Sequence, residues 1–337
     1  MFERLGHATA VIQAPMAGVS TPALTAAVAN AGGLGFVALA TFAAEQARQA
    51  LEQTRALTDR PFGVNLFCHE PAEPDPGRDA RWLDRLRPDF ARFDAAPPAA
   101  LRELYPSFRV NDEMLALLLA ETPPVISFHF GLPRPDQLQA LRQTGAILLA
   151  SATSLADGRR IAEAGLDAIV AQGWQAGGHR GMFDPVEMDR DERLETLPLL
   201  AALAGLGLPL IAAGGIMTAA DRRAAQAAGA VAVQCGTAFL LSPEAATAPD
   251  HRARLATTPT EMTRAISGRP ARGLVNRFMR MNQADAPAYP YAYDAAKALH
   301  AAASASGNHE FAAQWAGTGA ARAVARPAAE TLAAISG

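Results

Sequence analysis

Short apolar runs recur along the chain, and each is followed by a stretch whose apolar positions have helical spacing. The runs fall at 10–14, 34–39, 62–67, 125–130, 146–151, 168–172, 209–213 and 231–235. Most are apolar throughout rather than alternating, as strands covered on both faces are. Thr21-Pro22 supplies an N-cap and a first-turn proline, and Gly32 stops the helix they open. Thr218-x-x-Asp221 has the form of a capping box opening the helix after the seventh run. Eight strand–helix units in succession predict an α/β fold, a (β/α)8 TIM barrel. A doubly wound sheet is the alternative.

Two segments break the repeat. Residues 68–110 are rich in proline, arginine and aspartate, and read as an insertion or lid after the third strand. Residues 241–337 are alanine-rich and read as a helical appendage over the active-site mouth. The expected organisation is therefore a barrel over 1–240, with an insertion at about 68–111, and an appendage over 241–337. Trp82, Phe90, Phe108, Phe278 and Trp315 argue against disorder in either segment.

Composition narrows the function. Hydrophobic residues make up 50% of the 337 and charged residues 19%, enough for a large core. A net charge of −3 speaks against nucleic acid as a partner. Cys68 and Cys235 are the only cysteines, which excludes a disulfide framework and a multi-cysteine zinc site. A reducing cytoplasm is the expected compartment, because residues 1–7 lack the pattern of a secretory leader. Residues 5–44 contain no ionisable group but His7, yet Pro15, Pro22, Gly32, Gly33 and Gly35 punctuate them too often for a membrane span. Of 30 basic residues only Lys297 is a lysine.

In a TIM barrel the chemistry gathers at the C-terminal ends of the strands. Those ends carry Ala14-Pro15-Met16-Ala17-Gly18, Asn65, His129, Gln172 with Gly177-Gly178-His179-Arg180-Gly181, Gly214-Gly215, and Gln234-Cys235-Gly236-Thr237. Glycines after strands seven and eight suit a phosphate, since bare backbone N–H groups and a helix N-terminus both attract anions. Tight loop geometry alone would also call for glycine there. His179, in a glycine cluster, is a candidate base or anion partner. His129 either shares that mouth or is a hydrogen-bonded rim residue. No G-x-G-x-x-G, Walker A, H-E-x-x-H, C-x-x-C or G-x-S-x-G motif occurs, so neither a Rossmann site nor a metal is indicated. Three of four tyrosines fall at Tyr289, Tyr291 and Tyr293. Tyr289, Tyr293 and Lys297 are spaced four apart, and on a helix with Pro290 in its first turn they would share one face. Two phenols and an ammonium could bind a small anion; an ordinary amphipathic surface is the competing explanation.

Taken in order, these stretches resemble the nitronate monooxygenase family, formerly called 2-nitropropane dioxygenase, from about Val11 to Ala321. Residues 14–20, 63–67, 127–131, 172–181, 212–216 and 234–237 carry the resemblance. It implies non-covalent FMN on a barrel. Ala14, Pro15 and Met16 would lie near the isoalloxazine ring, and Asn65 and Gln172 would hydrogen-bond it. Gly177, Gly178, Gly214, Gly215, Gln234, Gly236 and Thr237 would hold the ribityl phosphate end. His179 matches the family's substrate-site histidine, a base for a nitroalkane or a partner for the oxygens of a nitronate. Tyr289, Tyr293, Lys297 and His129 match a branch acting on nitronates such as propionate 3-nitronate. The implied reaction takes a small anionic nitronate and O2 to a carbonyl compound and nitrite, with no membrane or nucleic-acid partner. Gln175 departs from a common glutamate, and Thr318 from a usual glutamine.

The nearest rival is an FMN-dependent reductase passing electrons from NADH to a quinone or an enoyl thioester. A non-redox phosphate-binding barrel and an inert flavin-binding module are more distant alternatives.

Overall fold

The computed structural model describes residues 5–184 and 191–337. The leader expectation at 1–7 therefore falls partly outside the described residues. Eight parallel strands form one sheet: β1 (Val11–Gln13), β2 (Phe36–Ala38), β3 (Gly63–Phe67), β4 (Val125–His129), β5 (Ile147–Ala152), β6 (Ala168–Gln172), β8 (Leu210–Ala213) and β9 (Ala232–Cys235). Strand β1 pairs with β9, placing Val11 beside Val233. The ring closes where Ile12 bridges Leu34, with Gln13 N donating to Leu34 O and Leu34 N to Val11 O, each at 3.0 Å. All eight expected strands form, and the fold is a TIM barrel; the doubly wound alternative falls with the closure.

Helices in chain order are α1 (Pro22–Asn30), α2 (Ala44–Arg55), α3 (Pro76–Ala91), α4 (Asp112–Glu121), α5 (Pro135–Gln143), α6 (Leu155–Glu163), α7 (Thr196–Leu203), α8 (Ala219–Ala227), α9 (Pro249–Arg254), α10 (Tyr291–Ala305) and α11 (Ala328–Ser336). Local sequence sets their starts. Thr21 Oγ1 accepts from Leu24 N at 2.9 Å, with Pro22 behind it. Asp221 N donates to Thr218 Oγ1 at 3.2 Å while Thr218 N donates back to Asp221 Oδ2 at 3.0 Å, the expected capping box.

The period of two in a strand positions the site. Inward residues at the barrel floor are apolar: Ile12, Phe36, Val125, Ile147, Leu149, Ala168, Val170, Ile211 and Ala232 form one buried cluster. Gly63 makes room for that floor, because a Cβ there would lie 2.4 Å from the Phe36 ring. Further up five of the strands, on the same face, stand Asn65, Ser127, Ser151, Gln172 and Gln234, two residues above the floor, and His129, four above it; all line the cavity at the strand C-termini.

The two segments outside the repeat meet over the barrel. Trp82, Leu86 and Phe90 of α3 pack with Phe278, Leu299 and Phe311 in a second core. Salt bridges join the same segments: Arg85 and Arg81 to Asp285, Arg102 to Asp294, and Arg277 to Asp89. Two corrections apply to the expected appendage. It is not all helix, since β10 (Thr260–Thr263) and β11 (Ala271–Leu274) form an antiparallel ribbon that also takes up β7 (Gly178–His179). Nor does all of it lie over the mouth. Helix α11 packs against α1 and α8, and its Ala328, Leu332 and Ile335 join the main barrel core, so it is the outer helix that follows β9. Alanine-rich sequence signals helix but not where the helix docks.

Candidate active site

A cavity of about 560 Å³ sits at the C-terminal ends of the strands, under α10. Its lining includes Ala14, Pro15, Met16, Asn65, His129, Gln172, Gly177, Gly178, His179, Gly214, Gly215, Gln234, Gly236, Thr237, Tyr289, Tyr293 and Lys297, all of them expected to hold the cofactor or to act on the substrate. Among the described residues there is no group of His, Cys, Asp and Glu that could hold a metal, and no helix long and apolar enough to cross a membrane.

One end of the cavity is a glycine cradle. Gly214 and Gly215 have φ of 115° and 75°, in the left-handed region that favours glycine. Gly177 is a close-approach position, where a Cβ would lie 2.4 Å from Gly317 N. Thr237 Oγ1 accepts from Gly317 N at 2.9 Å, and its O–H stays available as a donor. Among the described residues no arginine lines the cavity, so an anion in this cradle would rely on backbone N–H groups and helix termini. The two departures from the family pattern meet here. Thr318 N donates to the carbonyl of Gln175 at 3.0 Å, while Gln175 Oε1 accepts from Thr196 N at 2.9 Å and so caps α7.

The other end is aromatic. The His179 ring lies 5.8 Å from Tyr289, 5.9 Å from Tyr293 and 5.3 Å from Trp315, centroid to centroid. Trp315 Nε1 donates to Tyr293 Oη at 3.1 Å. Lys297 Nζ sits 4.8 Å above the ring of Tyr105. The expected single helical face is not how these groups converge. Helix α10 starts at Tyr291 with Pro290 as its N-cap, so Tyr289 enters from the chain before the helix. Its hydroxyl is buried and has no hydrogen-bond partner among the described residues. Tyr291, the remaining member of the tyrosine cluster, does not line the cavity.

Burial sets the protonation states. It is the main force pushing His179 down to about 3, with the His129 and Arg269 charges adding to it. Burial likewise takes His129 down to about 4, against an opposing hydrogen bond to the His179 carbonyl. Both rings are neutral at neutral pH. Burial raises the phenols of Tyr289 and Tyr293, which stay protonated donors. It also raises the thiols, Cys235 to about 12, so neither cysteine is a nucleophile.

His129 lines the same mouth and is hydrogen-bonded within the protein as well, so the two expected readings meet in it. Its Nε2 lies 3.2 Å from the His179 carbonyl, which can only accept, so Nε2 carries the proton. Nδ1 then accepts from Ser151 Oγ at 2.9 Å. Both nitrogens are engaged, which makes His129 a clamp on the His179 backbone. Gln172 is a second clamp, donating from Nε2 to the same carbonyl at 2.9 Å and accepting from Gly181 N at 2.7 Å. One Nε2 proton of Gln172 remains for a ligand. Asn65 Nδ2 donates to Ser127 Oγ at 2.8 Å, leaving its Oδ1 open. Sequence reasoning missed Tyr105, Trp315 and Ser267, which donates to or accepts from His179 Nε2 at 2.9 Å. The rarity of tyrosine and tryptophan could have flagged Tyr105 and Trp315; nothing in the sequence marks Ser267.

The profile of the nitronate monooxygenase family matches residues 3–335. The chain is 50% identical over 336 residues to a nitronate monooxygenase of Pseudomonas aeruginosa strain PAO1, covering 97% of this chain and 95% of that one. It is 50% identical over 337 residues to a nitronate monooxygenase of Paraburkholderia phytofirmans, covering 98% and 92%. The solved structure of a nitroalkane oxidase from Streptomyces ansochromogenes superposes with a TM-score of 0.89 at 37% identity, covering 99% of this chain and 97% of that one.

Proposed function

The chain belongs to the nitronate monooxygenase family, and from that premise we propose that it binds FMN and oxidises alkyl nitronates with O2 to a carbonyl compound and nitrite. The observation that carries this reading is one cavity with two chemically different ends, a glycine cradle for an anion and an aromatic pocket holding a neutral imidazole. The residues fit FMN. The left-handed glycines 214 and 215, with Gly177, Gly178, Gly236, Thr237 and Gln234, would take the phosphate end. Ala14, Pro15 and Met16 would border the ring, and the open valences of Asn65 and Gln172 would meet its polar edge. When bound, FMN supplies the electron acceptor and the reactivity towards O2.

The remaining work belongs to side chains of this chain. Lys297 and the Tyr289 hydroxyl, which has no partner among the described residues, would meet the negative oxygens of a nitronate. Trp315 holds the hydroxyl of Tyr293 in place. His179, neutral, is suited to take a proton rather than to supply charge. Helix α10, which contributes Tyr293 and Lys297 to the lining, packs on α3.

The test is spectroscopic. The purified protein, mixed anaerobically with propionate 3-nitronate, should lose the oxidised-flavin absorption within seconds. An unchanged yellow spectrum, with rapid bleaching by NADH instead, would transfer the protein to the reductases. A colourless protein that takes up no added FMN would overturn the cofactor.

A further inference from the structure

We propose that Ser267 is a positioning residue that holds His179 as its Nε2–H tautomer and so leaves the lone pair on Nδ1 for a ligand in the cavity.

The argument is a count of protons. Ser267 is buried, 1% exposed, and its Oγ has three neighbours within hydrogen-bond distance. They are His179 Nε2 at 2.9 Å, Arg269 O at 3.0 Å and Arg269 N at 3.2 Å. Arg269 O can only accept, and Arg269 N can only donate. Ser267 has one hydroxyl proton. If that proton went to His179, two oxygens would face each other at 3.0 Å with no hydrogen between them, at a buried hydroxyl. If it goes to Arg269 O, all three contacts are satisfied. Oγ then accepts from both Arg269 N–H and His179 Nε2–H.

The neighbouring backbone keeps this arrangement rigid. Gly268 has a φ of +86°, and a Cβ there would lie 2.2 Å from Pro287 O. Its N–H donates to Arg264 O at 2.8 Å. The hydroxyl of Ser267 is therefore presented by a turn wedged against the segment that carries Tyr289. On the far side of the ring, His129 and Gln172 fix the His179 carbonyl, and strand β7 pairs His179 with Ala271. The imidazole is held at both its backbone and its Nε2.

This fixes the part that His179 can play. A lone pair at Nδ1 repels an anionic oxygen and attracts a proton or a positive edge. The oxygens of a nitronate would thus turn to Tyr289 and Lys297, with Nδ1 facing a C–H or O–H hydrogen. That consequence rests on the function proposed above; the tautomer assignment does not.

The experiment is a long-range ¹H–¹⁵N correlation on the purified, flavin-loaded protein with ¹⁵N-labelled histidine, the His179 signals being identified by their loss in His179→Gln. The expected wild-type pattern at pH 7.5 has a protonated Nε2 and an unprotonated Nδ1. In Ser267→Ala the pattern should shift towards a mixture of tautomers. kcat/KM for propionate 3-nitronate should fall about tenfold, the scale of one lost hydrogen bond, and recover in Ser267→Thr. A protonated Nδ1 in the wild type would overturn the proposal, and so would an unaltered pattern in Ser267→Ala. Should Ser267→Ala fail to fold, the wild-type spectrum alone decides. A protonated Nε2 in a protein that turns over no nitronate upholds the tautomer and overturns only the function.

Discussion

At the scale of the residue, the site runs on neutral groups, and among the described lining residues Lys297 alone carries a positive charge, at its edge. Lys297 is exposed at the cavity mouth and rests on Tyr105. Lys297→Ala should raise KM for a nitronate about tenfold, as the loss of one charge-assisted contact would. The flavin content should stay unchanged, and a folded variant lacking flavin would contradict this role. The histidines make stability depend on pH. His69, His129, His179 and His251 are all depressed, chiefly by burial, to between about 3 and about 4. The unfolded chain protonates these rings below about 6.5, before the folded one does. Their contribution is therefore fully present above pH 6.5 and declines as the pH falls towards 4. Melting temperature should drop across that window, and a flat profile from pH 8 to 4.5 would refute the assignment. Most of the site was legible at this scale because strand ends and glycine clusters are visible in sequence. Ser267 was not, since it acts through a contact with His179, far away in the chain.

At the scale of the element, the barrel strands are legible because they are short apolar runs with turn residues on both sides. The ribbon β10–β11 gave no such signal. Its second strand, Ala271-Arg272-Gly273-Leu274, contains a charge and a glycine, and it gains its place by pairing with a two-residue strand almost a hundred positions earlier. Tyr289 shows the same limit, for a spacing of four implied a helical face that Pro290 interrupts. The glycine-rich loop after β6 is caught between this ribbon and residues 315–317. Gly177→Ala would drive a Cβ into the backbone of Ala316 and Gly317. The expected cost is about 1–3 kcal/mol, with substoichiometric flavin in the purified variant. Full flavin occupancy at unchanged stability, measured by absorbance and thermal melting, would show that the approach is looser than it looks.

At the scale of the whole molecule, insertion and appendage act as one body because they share a core that neither could build alone. Trp82 is fully buried and stacks at 6.5 Å on Phe278. Trp82→Ala should cost about 3–5 kcal/mol locally and loosen the lid before the barrel. Hydrogen exchange should then accelerate in α3 and α10 while β3 to β6 stay protected; uniform acceleration would mean that lid and barrel unfold together. Helix α11 returns to the barrel after the lid is built, so the chain closes its outer ring last in sequence. The composition of the molecule adds one practical consequence. In a chain with a single lysine, the only side-chain primary amine is the one at the mouth of this cavity. An amine-selective acylating reagent should therefore add one mass increment at Lys297 besides any at the chain terminus. Intact-mass spectrometry with and without a nitronate would then report occupancy of the pocket directly, with no need for turnover.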